Sequence, residues 1–341
     1  MGKLNIAMRT FLCDRERFAD LFNGVFFQGK PVIRADRLLE ASETYSDITE
    51  NTLDRTRDLK MVTDDGETLR IFALENQANI DYTLPYRCMQ YDALEYGRQL
   101  RELKKYNKAH KLLSTPAERL CGVTRQNRLA PVYTLCLYHG EEPWDGPVSL
   151  RDMMDFGADR EDMGRFFADY PITLFCVNKQ DSFHMFHTEL REVFSVMNYR
   201  RDKKRLYEVL LQDPSYRALD AETLKVMSVI LNAPGLWRER DRYINKNESE
   251  NKEEYDMCQA MRELLADAEA TGRKQGISQG LSQGISQGIS QGISQGAADK
   301  TRTVVLNMLA RGMSDEDICA IAECTAEFIH TVRMEGKYKQ V

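Results

Sequence analysis

The sequence predicts an α/β fold, a mixed central sheet flanked by helices, with a helical C-terminal extension. Three observations predict it. Runs rich in apolar, aromatic and β-branched residues ("LRIFALENQ", 69–77; "APVYTLCLYHG", 130–140; "PITLFCVN", 171–178) alternate with stretches whose apolar residues recur at helical spacing. The first of these runs follows a turn signal, so a hairpin joins a sheet that also needs helical crossovers. After residue 297 only helical spacing remains.

Each element has a local reason. "DRERFADLFNGVFF" (14–27) sets Phe18, Leu21, Phe22, Val25 and Phe26 on one helical face. "RTRDLKMVT" (55–63) and "LRIFALENQ" read as strands, and Asp65-Gly66 between them favours a tight hairpin. "LPYRCMQYDALEYGRQLRELKKY" (84–106) reads as a helix with Pro85 near its start, where a missing N–H costs nothing. "EVFSVMNYRRDKKRLYEVLL" (192–211) and "AETLKVMSVILN" (221–232) read as helices, and "APGLW" (233–237) breaks the pattern. Residues 1–247 are expected to form one domain, 141–247 being its outer layer, and 248–275 an acidic helical segment.

The tract "GISQGLSQGISQGISQGISQG" (276–296) is five tandem Gly-(Ile/Leu)-Ser-Gln units. Gly costs a helix about 1 kcal/mol relative to Ala, which favours a flexible linker. A four-residue period also keeps Gly and Ile on neighbouring helical stripes, which favours a self-associating helix. Both readings stand, and copy-number change in the tract would tune its reach. Residues 297–341 are expected to form a small helical unit. Gly312 closes a first piece, Ser314 with Asp317 caps a second, and Cys324-Thr325 starts a third. The pattern resembles a helix-turn-helix, but "TAEFIHTVR" holds few basic residues.

Composition excludes several classes. The net charge of −6 argues against general coating of nucleic acid, while nine Lys/Arg against two acids in 98–128, and "YRRDKKR" (199–205), form local basic patches. No run approaches the roughly 18 apolar residues of a membrane span. The N-terminus lacks a signal-peptide pattern and Ile6 departs from the myristoylation motif, so a cytoplasmic protein without membrane contact is expected. The eight cysteines include no Cys-x-x-Cys and read as small buried hydrophobes. No Gly-x-x-x-x-Gly-Lys-Ser/Thr loop occurs, so no nucleotide cofactor is expected. His184 and His187, three apart, lack an evident third ligand and read as structural.

The chemistry lies in 58–91. Strand alternation sets Glu75 and Gln77 at the end of the apolar face that carries Leu69, Ile71 and Ala73. A carboxylate there is costly unless it is paired or binds a cation. The hairpin brings Asp58 to the same end of the sheet. Two carboxylates, a backbone carbonyl and water are hard oxygen ligands suited to Mg²⁺, with Mn²⁺ as an alternative. The plainer alternative is ion pairing of these acids with Arg55, Arg57 or Lys60. Arg87 and Tyr91, four apart on the following helix, share a face and can meet a phosphate. Tyr86 is a weaker candidate, and Lys104 and Lys105 belong to the basic patch for DNA.

An Asp before a hairpin, Glu-x-Gln at the end of the next strand, then a helix, resembles the PD-(D/E)XK nuclease superfamily. More narrowly, "RTRDLKMV…IFALENQANIDYTLPYRCMQYDALEYGRQ" resembles the Rpn family of recombination-promoting nucleases, also called YhgA-like transposases. The match is good over residues 10–140 and loose over the next hundred. The resemblance implies a restriction-endonuclease-like core and Mg²⁺-dependent DNA cleavage. It implies metal-binding roles for Asp58 and Glu75, and puts Gln77 where the superfamily has Lys. It also implies an upstream acid in the first helix, Asp20 in preference to Glu16. The superfamily's Pro is replaced by Arg57. The alternative of another class is a catalytically weak DNA-binding or assembly factor that self-associates through the repeat tract.

Overall fold

The structure, a computed structural model, describes residues 2–41, 44–45, 55–64, 69–157, 160–246 and 253–337. It divides into one unit over Met1–Met261 and a second over Arg262–Val341.

The first unit opens with helices α1 (Lys3–Leu12) and α2 (Arg15–Phe27); Asp14 caps α2 by accepting the N–H groups of Glu16 and Arg17. Strands β1 (Leu38–Glu40), β2 (Thr44–Tyr45), β3 (Arg55–Thr56), β4 (Leu59–Asp64) and β5 (Leu69–Gln77) follow. Helix α3 (Leu84–Ala109) crosses over, and α4 (Pro116–Cys121) precedes β6 (Val132–Tyr138). The outer layer holds α5 (Arg160–Gly164), β7 (Thr173–Cys176), α6 (Leu190–Tyr199), α7 (Lys203–Gln212), α8 (Ala221–Ile230) and α9 (Pro234–Arg238). A small ribbon of β8 (Ile244–Lys246) and β9 (Glu253–Tyr255) closes it.

The main sheet has five strands in the order β1-β4-β5-β6-β7. The β1–β4 and β4–β5 pairs are antiparallel, and β5–β6 and β6–β7 are parallel, so the sheet is mixed as expected. On one face Phe72 meets Phe22 of α2 edge-on and stacks on Tyr133. On the other, Cys136 and Tyr138 pack with Leu84 and Cys88 of α3. Phe175, Phe183, Phe186 and Phe194 form an aromatic cluster that seats α6.

Four expectations change. The strand expected over 55–63 is two strands, because the chain turns at Arg57–Asp58; β3 pairs with β2 and β4 with β5. The helix expected over 192–211 is broken at 200–202, where Asp202 restarts it as a cap for Arg205 N–H. Glu253–Tyr255, expected within a helical segment, is a strand. "APGLW", expected only to break the pattern, starts the short helix α9 at Pro234. The Asp65-Gly66 turn lies outside the described residues. Of the cysteines, 88, 136, 176 and 258 are buried, while Cys13 and Cys121 are exposed.

Helix α10 (Met257–Ala310) runs through the whole repeat tract, so the tract is helical where one glycine in four favoured a flexible chain. Ile277 and Ile293 are 54-residue-helix neighbours sixteen positions apart, so they point about 160° apart at 100° per residue. The apolar stripe therefore winds around the helix, and Ile277, Leu281, Ile285, Ile289 and Ile293 are all exposed. Apart from the helix's own backbone, nothing among the described residues lies within 4 Å of a Cβ built on Gly280, Gly284 or Gly288. Replacing these three with Ala is expected to stabilise the helix by about 1 kcal/mol per site. Far-UV circular dichroism on heating checks it, and reduced helicity would count against the open helix surface.

In the second unit, α11 (Asp315–Ala322) and α12 (Ala326–Lys337) pack on the end of α10 through Val305, Ile318, Ile329 and Val332. Gly312 takes a left-handed φ of 77°, and Ser314 accepts the N–H of Asp317 at 3.2 Å. The expected caps and the three-piece layout are both present. Among the described residues, no helix is long and apolar enough to cross a membrane.

Candidate active site

The site forms where β4, β5 and α3 meet. The ladder pairs Leu59 with Leu74. Continuing that register by one residue sets Asp58 across from Glu75. Asp58 Oδ2 accepts the backbone N–H of Asn76 at 2.7 Å, which explains why the strand breaks there: the side chain replaces a ladder partner. Glu75 is 3% exposed. Its Oε2 accepts from Arg87 at 3.3 Å, while its buried Oε1 meets no partner among the described residues.

Electrostatics follow from burial. Desolvation pushes Glu75 up to about 7, against the Arg57 and Arg87 guanidiniums, and nearby Asp58 adds to the rise. Desolvation also raises Asp58, opposed by the Asn76 N–H, Arg87 and Arg9. Two carboxylates that disfavour each other's charge are suited to a shared cation.

Helix α3 supplies the next layer. Arg87 donates to Asp81 at 2.6 Å as well as to Glu75, so it bridges two acids and stays partly exposed. Tyr91 is buried beneath Arg57, whose Cζ lies 5.2 Å from the ring centroid; it is packed rather than presented to solvent. Tyr86 is exposed and its hydroxyl accepts from Gln90. Gln77 sits half-buried at the end of β5, and its backbone carbonyl accepts the His139 N–H at 3.0 Å.

Other candidates lie elsewhere. Asp20 spends one oxygen on the His187 and Thr188 N–H groups, each at 2.8 Å, and on the Thr188 hydroxyl at 2.7 Å. That anchors the loop before α6 to α2, and among the described residues none of these hydrogen bonds goes to Glu75; Glu16 is exposed. Lys104 and Lys105 are exposed, but Lys104 lies seventeen residues beyond Arg87, about 26 Å along α3. His184 and His187 lie outside any helix, and His187 contacts the Gly29 carbonyl at 3.1 Å, a structural role.

Arg57 and Lys60, weighed from sequence as ion-pair partners for Asp58 and Glu75, make their direct ion pairs with Asp92 and Glu95, though the Arg57 charge still acts on Glu75. Arg57 is fully buried, pairs with Asp92 and donates to the Thr134 hydroxyl at 2.8 Å. Lys60 pairs with Glu95 at 3.2 Å. Asp92 also accepts from the Tyr170 hydroxyl. This buried polar row was missed, although one signal was present. Cys88, Asp92, Glu95 and Gln99 recur at core spacing, so polar residues occupy the helix's inward stripe. Asp81 was missed too.

No family model, no curated protein and no solved structure matches the chain. Among the described residues no cluster of three or more His, Cys, Asp or Glu can hold a metal. Two carboxylates are present, and Mg²⁺ commonly takes one or two from protein, with waters and phosphate oxygens completing its shell. The unpartnered Glu75 Oε1 beside Asp58 fits such an ion.

Proposed function

We propose that the chain is a Mg²⁺-dependent DNA endonuclease of the recombination-promoting type, with a restriction-endonuclease-like core. The observation that carries this reading is the buried Glu75 carboxylate, with one oxygen unpartnered, set across a hairpin from Asp58. A buried carboxylate in that state is costly unless a proton or a cation neutralises it. The hairpin that bears the acids and the helix-linked parallel strand behind it agree with the resemblance seen in the sequence.

Asp58 and Glu75 would hold Mg²⁺ or Mn²⁺. Such an ion supplies charge neutralisation and water activation for phosphodiester hydrolysis. Arg87, tethered to Asp81, presents a guanidinium beside Glu75 and can meet a phosphate oxygen bidentately. Gln77 can orient a water or a phosphate oxygen but cannot take a proton. Lacking the superfamily's Lys, the chain has an amide where a cation would support the transition state, so slow turnover is expected.

Purified protein should nick supercoiled plasmid in Mg²⁺ and not in EDTA. Asp58→Ala and Glu75→Ala should each lose about a hundredfold or more of the rate, as expected for groups that hold a catalytic metal. Equal nicking by wild type and both variants would sink the assignment.

A second reading has its own support. The exposed Ile277–Ile293 series on α10 fits an assembly factor that binds DNA and self-associates through the repeat. It predicts that deleting 276–296 abolishes the cellular activity while Asp58→Ala and Glu75→Ala do not.

A further inference from the structure

Helix α3 carries a second charged feature on the face that bears Arg87. At about 100° per residue, Arg101, Lys105 and Lys108 lie within about 60° of Arg87 around the helix, whereas Lys104 points about 100° away. At about 1.5 Å per residue, the three lie about 21 to 32 Å beyond Arg87 along one unbroken helix. All three are exposed, and none forms an ion pair among the described residues. The spacing sets like charges together: Arg101 with Lys105, and Lys105 with Lys108, are four and three apart with no acid between them on that face. Such pairs destabilise a helix, and a merely solvated face alternates its signs instead. The helix dipole favours cations only in the last turn, which accounts for Lys108 and not for Arg101 or Lys105. The chain as a whole carries −6, so the stripe is a local concentration of positive charge.

The stretch between the two ends narrows the partner. There the face shows Gln90 and Leu94, and Arg98 is matched by Glu95 and Glu102. One cation thus stands beside the carboxylates, a cluster stands further on, and little net charge lies between. A duplex along the helix would set phosphates at both ends and a groove, about 12 Å wide for the major groove, over the middle. A single strand is held by aromatic platforms between its cations, and Gln90 and Leu94 offer none.

We propose that Arg101, Lys105 and Lys108 hold the sugar-phosphate backbone of duplex DNA about six to nine base pairs to one side of the carboxylate pair, at about 3.4 Å per base pair. The proposal deepens the nuclease reading and rests on it only for what happens at the carboxylates. It names the substrate as a duplex with an intact arm on one side of the cut. Such a contact fixes register and carries no sequence information.

The test measures binding of the full chain, in EDTA and so without cleavage, to fluorescein-labelled DNA hairpins. Stems of about 6 and about 14 base pairs fall on either side of the span. Wild type should bind the long stem at least about tenfold tighter, because the second contact becomes intramolecular once both ends are reached. Arg101→Gln/Lys105→Gln/Lys108→Gln should lose that step. It should also lower the slope of log Kd against log salt by about 2 to 3, at about 0.9 per phosphate contact. Lys203→Gln/Lys204→Gln/Arg205→Gln removes the same charge from the other basic stretch and should keep both step and slope. All six side chains belong to exposed residues, so both variants should fold, and circular dichroism checks it. No step in wild type, equal loss in the two variants, or an equal step with single strands of matching length would each overturn the proposal. Plasmid nicking in Mg²⁺ reports separately: a step without nicking keeps the stripe and removes the nuclease, and nicking without a step does the reverse.

Discussion

Glu75→Gln is expected to stabilise the protein at alkaline pH while removing cleavage. The folded-state pKa of Glu75 is raised to about 7 by burial, the Asp58 charge adding to the rise against Arg57 and Arg87. An unfolded Glu titrates near 4.3. The folded state therefore holds the extra proton between these values. The favourable contribution is complete below the unfolded pKa and is lost as pH rises through about 7. By linkage, the loss is about 4 kcal/mol across that window, at 1.36 kcal/mol per pKa unit. The amide of Gln cannot ionise, so the variant should lack this slope. Urea denaturation of both proteins at pH 5 and pH 8 checks it. Similar stabilities at pH 5 and a more stable variant at pH 8 are expected; parallel curves would show that Glu75 titrates normally. Mg²⁺ adds a second arm. It binds the ionised form, so it should stabilise wild type more at pH 8 than at pH 6. It should do little for Glu75→Gln. A site that gives up stability to keep a buried charge is what a functional carboxylate looks like.

How much of this was legible in the sequence depends on the range of the interaction. The strand 69–77 and the helix from Leu84 could be read because period and capping are local. So could the caps at Gly312 and Ser314. Asp58 and Glu75 could be placed together because one hairpin sets their register. The break at Arg57–Asp58 could not be read, because it depends on an Asn76 N–H eighteen residues away. Asp20 shows the same limit. An acid on an apolar helix face invites a metal role, yet its partners lie 167 and 168 residues further on. Repeat propensity misled in the other direction. Six glycines between 276 and 296 argue for a linker, whereas α10 runs helical throughout.

Asp92→Ala should be the most destabilising single change near the site, by about 3–5 kcal/mol, the cost of stripping a buried charge of its counterion. Asp92 accepts from Arg57, from the Thr134 hydroxyl at 2.8 Å and from the Tyr170 hydroxyl. Without it, the Arg57 guanidinium, wholly buried, keeps the Thr134 hydroxyl and the face of Tyr91 but loses its carboxylate. Denaturant midpoints at constant m-value measure the loss. A change under about 1 kcal/mol, typical of exposed pairs, would mean that the pair is solvated. The double variant Arg57→Met/Asp92→Leu should recover most of the stability, since well-packed apolar pairs replace buried ion pairs at little cost. It should not recover the chemistry. The Arg57 charge, with that of Arg87, holds Glu75 down against its burial. With Met at 57, Glu75 should titrate higher, and the pH at which Mg²⁺ begins to stabilise the protein should move up with it. Recovered folding with a displaced metal response would show that the buried row beneath α3 tunes the carboxylate as well as holding the sheet. Recovered folding with an unmoved response would confine Arg57 to packing.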